Sequence, residues 1–125
     1  MTTPTKLTAL VALGRLAFGA GLIAAPARVA SGWLGGDAAR PAAQVAIRGL
    51  GARDIALSAG TLAALGDKDQ LRRWVLAAAV GDLSDVAIAL ATPSDALPAN
   101  ARWGTVALGG GTAVAGLLLY AALDR

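Results

Sequence analysis

The chain has no cysteine and no histidine. Without thiols there is no disulfide framework, no thiolate nucleophile and no thiolate metal site. Without imidazole the commonest metal ligand and the commonest general base are missing. Zinc, haem and Ser-His-Asp chemistry are therefore disfavoured, and no metal or other cofactor is expected. Proton transfer, if there is any, falls to carboxylates, to lysine or to the single tyrosine, Tyr120. Aromatic residues are scarce, with three Trp, one Tyr and one Phe. Charge is scarce too, at 15% of residues against about 25% in soluble domains.

What is abundant is Ala, Leu, Val and Gly. The chain is 56% hydrophobic with mean hydropathy +0.61, and both values point toward lipid. An isoelectric point near 10.2 does not signal nucleic acid. The net charge is only +3, Arg15, Arg48 and Arg53 lie inside apolar stretches, and no basic run interleaves aromatics.

The length suits one domain, 1–125. Four apolar segments stand out, at about 7–25, 43–65, 71–91 and 104–123. Each approaches the ~20 residues that span a hydrocarbon core. The expected fold is all-α, a four-helix transmembrane bundle. Breakers lie between the segments: Pro26, the Ser31-to-Asp37 loop with Pro41 and a short interfacial helix around 27–34, the turn Gly66-Asp67-Lys68-Asp69, and Pro93 with Pro98. Asp67 or Asp69 is placed to cap the third helix. Trp33, Trp74 and Trp103 fall near predicted ends, as in an aromatic belt. A cleaved leader over segment one is disfavoured by Arg15 in the middle of its apolar run. With four crossings, Lys6, Lys68, Arg72, Arg73 and Arg125 share one side, and Arg28, Arg40 and Arg102 the other. That bias puts both termini in the cytoplasm and the protein in the inner (plasma) membrane.

Small residues recur every fourth position, as in Ala17/Gly21/Ala25, Ala52/Ala56/Gly60/Ala64, Ala77/Gly81 and Ala107/Gly111/Ala115. Such ridges permit close helix contact. Gly109-Gly110-Gly111 marks a candidate helix deformation or self-association face, and a homo-oligomer is expected.

The residues that carry information are Arg15, Arg48, Arg53, Asp54, Asp82 and Asp85, three cations and three anions within apolar segments. A charge at the bilayer centre costs about 2.5–3.5 kcal/mol on insertion scales. Three unpaired charges on the second segment would cost ~8 kcal/mol, so pairing is close to obligatory. Counting ~1.5 Å per residue puts Arg15, Arg53, Asp54 and Asp82 at one depth and Arg48 with Asp85 nearer one face. Asp82 and Asp85 face one direction, whereas Arg48, Arg53 and Asp54 are spread around their helix. Ser58, Thr61 and Ser84 are further hydrogen-bond candidates. Register-fixing ion pairs are the structural reading. A polar binding pocket is the functional one, favoured because six charges exceed what register requires.

The run Arg48-Gly49-Leu50-Gly51-Ala52-Arg53-Asp54-Ile55-Ala56-Leu57 resembles an R-x-x-G-x-R-D-[LI]-x-L pattern of small four-helix bacterial membrane proteins of uncharacterised function, common in actinobacteria. Phe18-Gly19, Ala25-Pro26-Ala27-Arg28, Trp33-Leu34-Gly35 and Gly81-Asp82 are also similar to that family. The architecture more distantly resembles the DoxX-like membrane superfamily. The family's usual Gly after the motif is Ser58 here. The resemblance implies a fold and a membrane location, and no chemistry.

Three functions remain open. The first is binding or transport of a small polar, anionic or lipid-like ligand, with the Arg/Asp network as its site. The second is an intramembrane acid–base enzyme, an isomerase, cyclase or epoxide-opening catalyst on a lipophilic substrate. The third is a structural or accessory subunit of a membrane complex. A soluble helical bundle is disfavoured by the uncharged run 104–123.

Overall fold

The structure, a computed structural model, describes residues 1–124. It is all-α. Proline sets several helix starts, where its missing N–H has no partner to lose. Helix α1 (Thr3–Ala24) has Pro4 in its first turn and is capped by Thr2, whose hydroxyl accepts from the Thr5 amide. It stops at Ala25 because the residue before a proline is driven out of the helical region. Helix α2 (Pro26–Leu34) begins on that proline and ends at Gly35, whose φ of 64° lies in the left-handed region glycine enters freely. A 3-10 turn (Gly35–Ala39) leads to α3 (Pro41–Ala63), again opened by proline. Asp67 caps α4 (Lys68–Ala91), accepting from the Gln70 amide at 3.1 Å. Helix α5 (Ala99–Leu123) follows Pro98.

The expected four-helix transmembrane bundle is corrected. There are five α-helices among the described residues, and three of them, α1, α4 and α5, are long and apolar enough to cross a membrane. Helix α3 has the length but carries Arg48, Arg53 and Asp54 within it, with Gln44, Ser58 and Thr61 lowering its hydropathy further. Pairing of its charges does not raise its hydropathy to that of the other three. The fifth helix, α2, falls where the short helix around 27–34 was expected.

Helices α1 and α3 pack closely as an antiparallel pair, and so do α4 and α5; the two pairs touch each other more sparingly. Within the first pair the backbones nearly meet. A Cβ on Gly19 would sit 2.8 Å from the Gly51 carbonyl oxygen, and one on Gly51 would sit 2.6 Å from the Gly19 carbonyl oxygen. Within the second pair Gly109, Ala113 and Gly116 of α5 face α4. The ridges expected at Ala52/Ala56 and Ala107/Gly111 instead point outward. Gly60 receives the Trp74 ring rather than another small residue. Gly110 and Gly111 lie in regular helix with open space beside them.

Apolar clusters close the two ends. Leu22, Ala30, Ala38 and Ile47 gather where α2 packs. Ala64, Leu71, Val75 and Leu123 gather at the α3–α4 turn. Outward faces are also apolar: Leu10, Val80, Val114 and Leu118 are all more than half exposed. Asp54 and Asp82, by contrast, are each only 4% exposed. Charge inside with Leu, Ile and Val outside is the distribution expected of a chain solvated by lipid.

Arginine also ties helix ends. No helix has a basic residue in its own last turn, and a neighbour supplies one. Arg48 Nε donates to the Ile23 carbonyl at the end of α1, at 3.2 Å. Arg102 donates to Ala89 at 2.7 Å and to Thr92 at 2.6 Å, at the end of α4. Arg72 donates to Tyr120 near the end of α5, stacks on its ring, and pairs with Asp124. Each guanidinium meets unpaired carbonyls at the negative end of a helix dipole.

Candidate functional site

The Gly19–Gly51 crossing sets the site's geometry. Arg15 lies one turn before Gly19, and Asp54 lies three residues after Gly51, so the two side chains meet at the waist of the α1/α3 pair. Arg15 Nη1 donates to Asp54 Oδ1 at 3.2 Å. The same guanidinium grips Asp82 of α4 with both ends, Nη1 to Oδ1 at 3.0 Å and Nη2 to Oδ2 at 2.5 Å. Helices α1 and α4 barely touch, so Arg15 spans a gap that a shorter side chain could not. Every acidic residue in the chain is Asp, never Glu, which leaves the reach to arginine.

A second fork lies alongside. Arg53 of α3 binds Asp85 of α4 through Nη1–Oδ1 at 2.9 Å and Nη2–Oδ2 at 2.7 Å. Its Nη2 is also 3.5 Å from Asp54 Oδ1. Bidentate Arg–carboxylate pairs combine two charge-assisted hydrogen bonds with fixed geometry. The first cluster is well buried, with the Arg15 side chain 12% exposed, while Arg53 and Asp85 stay about one-third open. Arg53 Nε is buried without a hydrogen-bond partner among the described residues.

The structure thus brings together five of the six charges singled out in the sequence. Arg48 is the exception. Equal depth suggested that it would meet Asp85, yet Arg53 takes Asp85, and Arg48 turns outward to the end of α1. Depth follows from residue count, but azimuth decides the partner, and Arg53 reaches along the helix to the carboxylate that faces it. The three hydroxyls are also spoken for. Ser58, Thr61 and Ser84 each donate to the carbonyl four residues earlier, at Asp54, Leu57 and Val80.

Between the two helix pairs lies a partly open cleft of about 600 Å³. Arg15, Arg53, Asp54, Asp82 and Asp85 all line it. Its walls are mainly apolar and include Phe18, Trp33, Leu50, Ile88 and Leu108. Gly14 leaves room at the wall. Sequence reasoning missed this shell. Trp33 reads as a belt residue but turns inward, its ring 6.1 Å from that of Phe18 and against Gly104. The uncharged segment 104–123 gave no polar signal, yet its Thr105, Leu108 and Thr112 form one wall. Trp103, by contrast, stays 58% exposed.

Among the described residues no group of three or more potential ligands is placed to hold a metal ion. The arrangement offers paired charges at the floor of an apolar cleft. Comparison of the chain with family models, with curated proteins and with solved structures finds no match.

Proposed function

We propose that this is a membrane protein that binds a small amphipathic molecule in the cleft between its two helix pairs. The observation that carries the reading is the joining of an apolar-walled space of about 600 Å³ to a five-residue Arg/Asp floor. A volume of that size suits a small-molecule ligand, and a few convergent polar groups in an apolar cavity are the usual composition of such sites. A network serving register alone has no need of a cavity beside it. The tail lies along Phe18, Trp33 and Leu108, and the head meets the network.

The protein itself supplies the test. With Trp74→Phe and Trp103→Phe, Trp33 is the sole indole and reports on the cleft wall. A long-chain alcohol brominated along its chain is titrated into the protein in a neutral maltoside detergent. Saturable quenching is expected. Gly14→Leu adds a side chain where a Cβ meets nothing within 4 Å, so it fills the cleft without displacing backbone. It is expected to weaken quenching at least about tenfold, or ~1.4 kcal/mol. Quenching that rises linearly with probe, or that is identical in Gly14→Leu, overturns the reading.

We place the protein in the plasma membrane with the end bearing Lys6, Lys68 and Arg73 in the cytoplasm. That end also holds the α3–α4 turn, and Arg28 and Arg40 lie at the other. Arg72 and Arg102, which the charge count had assigned to opposite sides, are committed to helix ends; Arg125 lies outside the described residues. Because cysteine is absent, Gly36→Cys and Gly66→Cys report each end by labelling of intact cells with an impermeant maleimide. Both positions have open space for a side chain. Labelling of position 36 alone is expected; labelling of position 66 alone reverses the orientation.

A further inference from the structure

We propose that the head group this cleft selects is a cation, specifically the protonated amine of an amphipathic molecule. The inference rests on the cleft reading above and adds the charge of its occupant. Six charges that balance in the sequence do not balance in space. With Arg48 drawn away to the end of α1, two guanidiniums face three carboxylates. The floor of the cleft therefore carries one formal negative charge beyond neutrality.

Both guanidiniums are already committed to carboxylates. Arg15 is forked onto Asp82 and also bound to Asp54, and Arg53 is forked onto Asp85. The unpartnered Arg53 Nε has almost no accessible surface, so a ligand in the cleft cannot reach it. Beside them the cleft holds an unused acceptor. Asp54 is 4% exposed and lines the cleft. Its Oδ1 lies toward both guanidiniums, at 3.2 and 3.5 Å. Its Oδ2 receives no hydrogen bond from the described residues. Unlike Arg53 Nε, this oxygen is not sealed off, and a carboxylate in an apolar cleft gains from a donor that reaches it. In an apolar surrounding a compensating positive charge acts far more strongly than in water. An ammonium supplies both the charge and up to three donors, while its alkyl chain takes the apolar wall.

The experiment compares three brominated probes of one chain length, a primary amine, an alcohol and a carboxylate, against the sole-Trp33 protein. The amine is expected to bind at least about tenfold tighter than the alcohol, ~1.4 kcal/mol, and the carboxylate weakest. In Asp54→Asn the amine-to-alcohol ratio is expected to collapse toward one; because probe partition into the micelle is common to both proteins, it cancels. Should Asp54→Asn fail to fold, the order of the three probes on the parent chain still decides. Equal binding of amine and alcohol, with both blocked by Gly14→Leu, overturns the charge inference and leaves the cleft reading standing: a resident proton then balances the floor. Carboxylate binding tightest overturns it as well. Alcohol quenching that Gly14→Leu does not block removes the cleft reading itself.

Discussion

Arginine does two different jobs in the middle of this molecule and at its ends. In the middle, Arg15 and Arg53 clasp carboxylates on other helices. At the ends, Arg48, Arg72 and Arg102 hold backbone carbonyls. The first kind balances charge against charge and sets which helices lie together. The second needs no acidic mate, because the helix end itself supplies the negative pole. An arginine in an apolar segment therefore does not imply a buried ion pair. Two similar residues five apart on α3, Arg48 and Arg53, belong to different kinds.

The contrast orders the expected effects of mutation, each read as a shift in unfolding free energy in mixed micelles. Arg15→Ala strands Asp82 and half of Asp54's partnership, and is expected to cost about 3–5 kcal/mol, the range for removing one member of a buried pair. A loss below that of Arg48→Ala would erase the distinction. Arg102→Ala removes two short charge-assisted bonds at a residue only 9% exposed. It is expected to cost ~1.5–3 kcal/mol; a loss no larger than that of Arg48→Ala would mean that these bonds do not hold the end of α4. The double change Arg53→Met with Asp85→Leu removes both members of the more open pair. It is expected to fall within about 1 kcal/mol of the parent, since replacing a pair by apolar residues is often neutral. A double mutant worse than either single change would mean that this pair is coupled to the Arg15 cluster and not separable from it. Arg48→Ala, exposed and held by one bond, is expected to cost only ~0.3–1 kcal/mol.

The sequence made the polar centre legible because hydrophobic surroundings give each charge contrast. Arg15, Arg53, Asp54, Asp82 and Asp85 stood out for that reason. It also made the helix ends legible, since Pro26, Pro41, Gly35 and Asp67 each act locally through backbone geometry or capping. What it left hidden was rotational and tertiary. Arg48 could be placed in depth but not in direction. Arg102 read as a loop charge because nothing local reveals that α4 lacks a basic last turn needing a partner from α5. The cleft wall was invisible for the opposite reason: Leu108 and Phe18 look like every other apolar residue, and only packing shows which ones leave a space. Segment 43–65 misled because pairing was taken to offset the weight of its three charges, and it is not one of the three helices apolar enough to cross.

The span between Arg15 and its mates has a consequence in time. Asp54 follows it by 39 residues and Asp82 by 67. At ~5–20 residues per second on the ribosome, the second interval is about 3–13 s. Until Asp54 emerges the first helix holds a solitary guanidinium with nothing of its own to neutralise it, and until Asp82 emerges that guanidinium lacks the carboxylate it forks onto. Biogenesis therefore depends on a waiting room, whether water, phospholipid or insertion machinery, that shelters the nascent segment until the fourth helix emerges.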